Sequence, residues 1–108
     1  MDENLFRVES DAALDDLFRA LARAGDEHDF EADLNGGALT VEFEEPPAKF
    51  VVSPNAPVRQ IWVSALTTSF KFEWDATRNA FILPASGQTL RQLMASVITT
   101  QLGEPVEL

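Results

Sequence analysis

The sequence predicts an α+β fold, a two-layer sandwich with two helices on one face of an antiparallel sheet. Three observations carry this. An amphipathic helical pattern opens the chain and another closes it. Between them lie five or so short strand patterns. The strands are joined by turns too short for crossover helices, so neighbours run antiparallel. The helices must then cover one face of the sheet, leaving the other open to water. At 108 residues the chain fits a single domain.

The first helix is expected over residues 4–24. Phe6, Ala13, Leu14, Leu17, Phe18 and Leu21 recur at three- and four-residue spacing and form one apolar stripe. Asp11, Asp15, Asp16, Arg19 and Arg23 fall mostly off it. Gly25 is expected to end the helix in a left-handed conformation. Residues 26–33 form an acidic connector. From Asp29 onward acids alternate with apolar residues, which suggests an extended segment with its carboxylates on one side.

Asn35-Gly36-Gly37 is a turn signal. After it Leu39, Val41 and Phe43 alternate with Thr40, Glu42 and Glu44, a strand with one buried and one wet face. Pro46-Pro47 ends that strand. Phe50–Ser53 is the next, stopped by Pro54-Asn55. Arg59–Ser64, Phe70–Trp74 and Ala80–Leu83 follow, with a turn at 75–78. The second helix is expected over 89–102. Thr89 and Gln92 have capping-box spacing, and Leu90, Leu93, Met94, Val97, Ile98 and Leu102 form its stripe. Gly103 closes it. The tail from Glu104 to Leu108 carries no pattern of its own.

The net charge is −10, unevenly spread. Residues 1–45 hold 14 carboxylates against Arg7, Arg19 and Arg23, whereas residues 46–108 hold four against five Lys and Arg. Such acidity speaks against a nucleic-acid partner and favours cations or a basic protein surface. No apolar run approaches the ~20 residues of a membrane helix. Met1-Asp2-Glu3-Asn4 lacks the basic and apolar regions of a secretory signal, which sets a cytoplasmic expectation. A monomer is expected.

An enzyme is not expected. The chain has no cysteine, hence no thiolate nucleophile, disulfide or zinc–cysteine site. Its only histidine, His28, reads as an exposed loop residue. Asn35-Gly36-Gly37 lacks the lysine and helix of a phosphate loop. A two-carboxylate glycosidase needs a deep cleft, for which so small a sandwich has little room.

The candidate cation ligands are Asp11, Asp15 and Asp16, then Asp26, Glu27, Asp29 and Glu31, with Asp33 following. Two unit charges about 6 Å apart at a wet surface repel by ~0.7 kcal/mol, and a cation relieves several such pairs at once. Oxygen ligands suit hard or borderline ions. The spacing of an EF-hand is absent, so a solvated acidic face and a shallow cation site both remain open. In Gln60-Ile61-Trp62-Val63-Ser64, Ile61 and Val63 take the core side. Trp62 then shares the wet face with Gln60, as an interaction residue or one covered by a neighbouring strand or the tail. Trp74, grouped with Phe70 and Phe72, reads as core.

The chain resembles the frataxins, and within them the bacterial type, along nearly its whole length. The most specific segments are Asn35-Gly36-Gly37-Ala38-Leu39-Thr40-Val41 and Pro57-Val58-Arg59-Gln60-Ile61-Trp62-Val63-Ser64. The Ser86-Gly87 turn and Gln101-Leu102-Gly103-Glu104 are similar too. The resemblance implies about six strands and a role in iron–sulfur cluster assembly. It also implies weak surface binding of iron and docking to a cysteine desulfurase and a scaffold protein. It assigns iron to an acidic ridge on the first helix and the adjoining edge strand. The same acids can meet a basic patch on the desulfurase, which places Glu27, Asp29, Glu31 and Asp33 in partner binding. It places Trp62, with Gln60 beside it, on the partner-binding face. Asp29 and Glu31 match the ridge best. Arg19 and Arg23 depart from it, standing where the family carries acids, and Asp15–Arg19 has the spacing of an ion pair.

Two function classes follow. One is a non-catalytic iron-binding regulator of cluster assembly. The other is a metal-independent acidic adaptor of the desulfurase, for which binding weakens strongly with salt. Iron storage by oligomers lacks the Glu-x-x-His pairs of carboxylate-bridged iron centres.

Overall fold

In a computed structural model describing residues 1–108, the chain folds as α1 (Glu3–Gly25), β1 (Glu31–Asn35), β2 (Ala38–Glu44), β3 (Pro47–Asn55), a 3-10 turn η1 (Ala56–Val58), β4 (Gln60–Ala65), β5 (Thr68–Asp75), β6 (Ala80–Ile82) and α2 (Leu90–Leu102). The strands form one antiparallel sheet in chain order, β1 to β6. A strand beyond the five patterned ones is β1, which grows from the alternating acidic segment. Asp29 and Phe30 precede it, and Phe30 is buried.

The two helices cover one face. Phe6, Leu14, Leu17 and Leu21 of α1 and Leu93, Met94, Val97 and Ile98 of α2 meet Leu39, Val41, Phe50, Val52, Ile61, Val63 and Phe72 from the sheet in one core. Full burial of each large apolar side chain stabilises the fold by about 1.5–3 kcal/mol. The aromatic rings Phe30, Phe43 and Phe50 run in series, at 5.9 and 4.8 Å between centroids. Trp74 packs edge-on against Phe81 at 5.1 Å, partly buried against the core as its strand pattern predicts.

Both helices are capped from within. Asp2 accepts from the Leu5 N–H at 2.7 Å. Thr89 and Gln92 complete the capping box, and Gly103 closes α2 with φ 71°. Four local expectations need correction. Gly25 is the last helical residue and has no positive φ. A Cβ there would stand 3.0 Å from the Phe30 carbonyl, so a close approach of chain to chain calls for glycine. Pro54 does not stop β3. The β2 pairing ends at Val52, so Pro54 faces a neighbour only in β4, and its missing N–H costs no bond to β2. Arg59 lies outside β4, with φ 54° closing η1. His28 is not exposed. Its side chain is 16% accessible, beneath the tail, with Nδ1 3.3 Å from a Glu104 carboxylate oxygen. That approach lacks hydrogen-bond alignment, since Nδ1 has no bonded partner.

The tail is ordered by burial of Val106, whose N–H donates to Thr99 Oγ1 at 3.0 Å. No helix is long and apolar enough to cross a membrane.

Candidate functional site

The carboxylates singled out in the sequence separate into two groups with different surroundings. Asp11, Asp15 and Asp16 lie in the middle of α1. Asp26, Glu27, Asp29, Glu31 and Asp33 gather where α1 ends and β1 begins, all exposed. Eleven residues separate Asp15 from Asp26, about 16 Å of helix at 1.5 Å per residue.

Arginines hold most of the helix group. Asp15 pairs with Arg19 at 2.9 Å, as their spacing predicts. Asp16 accepts two hydrogen bonds from Arg91 of α2, at 2.9 and 3.1 Å, a fork that ties the two helices together. Arg91 is 75 residues away in the chain, so no local pattern exposes this pair.

The corner group has no such partners. Its five carboxylates make no ion pair with Lys or Arg. Asp26 and Glu27 sit at the C-terminal end of α1, where the helix already carries partial negative charge. The Gly36-Gly37 turn, with φ of 63° and 80°, sets the β1–β2 register so that Glu31 faces Glu42 directly. Like charges so placed repel. A groove of about 580 Å³ is lined by Asp26, Glu31, Asp33 and Glu42. A second, of about 310 Å³, is lined by His28, Asp29, Glu31, Glu42 and Glu44. Glu42 and Glu44 thus extend the corner, although the sequence marks them only as wet-face residues. Counting back across the glycine turn would have found Glu42 opposite Glu31.

These acids are close enough to share one field but do not converge. Nowhere do three His, Asp or Glu side chains come together as a ready metal centre. The donor set is oxygen, suited to a hard or borderline cation held shallowly through water.

Trp62 lies on the open face of the sheet and is 38% exposed. Neither strand nor tail covers it. Its indole N–H donates to Gln60 Oε1 at 2.8 Å, and Gln60 Nε2 donates in turn to Glu73 at 3.3 Å. Lys71, its cross-strand partner on β5, holds Nζ 5.0 Å from the ring centroid. Around the indole, Ser53, Ser64, Ser69 and Lys71 line a shallow cleft of about 360 Å³. The open face therefore has an acidic end at β1 and β2 and an aromatic centre beside a lysine. Lys71 was legible from the alternation of Phe70, Phe72 and Trp74, which turns it outward.

The comparisons with known proteins agree with this architecture. The frataxin-like domain model matches residues 1–104. An iron-sulfur cluster assembly protein CyaY of Azotobacter vinelandii is 33% identical, over 87% of this chain and 86% of its own. The protein of that name from Pseudomonas aeruginosa is 35% identical, over 91% and 95%. A solved frataxin from Psychromonas ingrahamii superposes with a TM-score of 0.76 across 99% of this chain and 97% of its own, at 24% identity, a likeness of fold. A family match along almost the whole chain, with relatives above 30% identity spanning most of both sequences, makes this chain a member of the frataxin family, of the bacterial CyaY type.

Proposed function

We infer that this chain is a non-catalytic accessory protein of iron–sulfur cluster assembly that docks through its acidic α1–β1 corner to a basic surface of the cysteine desulfurase. The carrying observation is five corner carboxylates without a Lys or Arg partner, at the negative end of a helix. Unpaired surface charge of one sign steers a partner of the other sign and raises its on-rate. The names of the relatives point to the same process. The Trp62 face supplies the second contact, with the scaffold protein. A tryptophan half out of water, held by Gln60 and ringed by small polar residues, has the character of an interface anchor. Iron binds weakly on the corner carboxylates in this reading, as cargo or regulator. Its place of action is the cytoplasm, as a monomer.

The lack of a converging set of three ligands favours a second reading, in which the acids serve only to meet the desulfurase and iron is incidental. One experiment separates the two. Pull-down and sulfur-release assays with the desulfurase of the same cell are run with and without ferrous iron, alongside an iron titration followed by amide NMR. Shifts confined to Asp26–Asp33 and their neighbours, with iron-dependent regulation, support the first reading. Binding that falls with salt, ignores iron and leaves those amides unmoved supports the second. Absence of desulfurase binding at any salt defeats both.

A further inference from the structure

We propose that the N-terminal half of α1 carries a separate docking surface, which takes a basic amphipathic helix of a protein partner. Five large apolar residues are exposed on this chain. Trp62 is one; the other four, Met1, Leu5, Val8 and Val58, belong to the start of α1 and the η1 turn that packs on it. Met1, Val58 and Trp74 line the same cleft. Leu5 and Val8, at 45% and 63% exposure, are followed by exposed Ala12 at helical spacing. They make a second apolar stripe, on the side of α1 turned away from Phe6, Leu14 and Leu17. Burial in the core accounts for the first stripe and not for this one. An apolar strip left on a small, highly charged protein marks a contact surface.

Ala12 also opens into a groove of about 370 Å³ between α1 and the β6–α2 corner, walled by Ala13, Leu17, Phe81 and Leu90. That groove has room for a large partner side chain beside the strip.

The charges flanking the strip select the occupant. Glu9 lies on the groove side, and Asp11 falls on the opposite flank by helical geometry. Neither has an ion-pair partner. From Asp2 to Asp16 six carboxylates face one arginine. A second copy would set these acids against their own kind, and an anionic membrane would be repelled. A partner helix with an apolar seam between Lys or Arg rows matches both strip and flanks. Val8 lies 18 residues, about 27 Å, from Asp26 along the helix axis, so this surface is distinct from the acidic corner and does not depend on its role.

The test uses the full chain and a synthetic 18-residue helix with a leucine seam and lysine flanks. A scrambled peptide of equal composition and a glutamate-flanked version serve as controls. The lysine peptide is expected to shift the amides of Leu5, Val8 and Ala12. Leu5→Ser/Val8→Ser, both on the surface, is expected to weaken it at least tenfold with an unchanged amide spectrum elsewhere. Equal binding of the scrambled peptide, shifts confined to Asp26–Asp33, or unchanged affinity of the double variant would each overturn the proposal. So would a dimer in sedimentation that Val8→Ser dissolves, or stronger binding to phosphatidylglycerol vesicles than to the peptide.

Discussion

Two carboxylate groups of similar composition behave as different surfaces. In the middle of α1, Asp15 and Asp16 are each met by an arginine, one a turn away and one on the other helix. At the α1–β1 corner, Asp26, Glu27, Asp29, Glu31 and Asp33 have none, and Glu42 adds its charge directly opposite Glu31. Asp15 and Asp16 use their charge within the molecule, one in a pair along α1 and the other in a fork that joins the two helices. The corner group offers its charge to whatever approaches. A count of acids along the chain treats both alike; what distinguishes them is the location of the cations.

The largest expected effect breaks the corner outright. Glu27→Lys/Asp29→Lys/Glu31→Lys is expected to weaken desulfurase binding more than tenfold at low salt, read by calorimetry. Asp11→Lys/Asp15→Lys should do much less, and equal losses would erase the distinction between the groups. Trp62→Ala measures the part of binding that is not electrostatic. A loss of about 2 kcal/mol in scaffold affinity is expected, nearly independent of salt and with the fold intact. Glu42→Lys turns a repulsive cross-strand pair into an attractive one. It should raise unfolding stability by about 0.2–1 kcal/mol in denaturant titration while weakening desulfurase binding. Opposite movement of stability and binding is the signature of a charge kept for function. Asp16→Asn is the smallest change. The pair with Arg91 is partly exposed, so a loss of ~0–1 kcal/mol is expected, with no change in desulfurase affinity.

Most of the architecture was legible because its signals are local. The stripe of α1, the capping box at Thr89 and the alternation through Leu39, Val41 and Phe43 each lie within a few residues, and each appears as read. Two local signals mislead because a single residue type does not by itself stop an element. Pro54 continues β3 because its strand is unpaired toward β2 there, and Gly25 answers to the Phe30 carbonyl rather than to a turn. His28 looked exposed because its neighbours are acidic, yet the tail folds back over it. Of the candidate site, Trp62 with Gln60 and the Asp26–Asp33 run could be named from alternation and charge. Lys71 and Glu42 could have been found by extending that alternation across turns.

The sequence by itself determined the two layers, the antiparallel pairing of neighbouring strands and most of the side chains that face water, because periodicity and turn chemistry act over short separations. Only the tertiary structure decided which charges are free. The Asp16–Arg91 fork joins residues 75 apart, and the Glu31–Glu42 opposition depends on the register of a hairpin. Electrostatic interaction follows distance in space, and distance in space between remote residues exists only once the helices and sheet have packed.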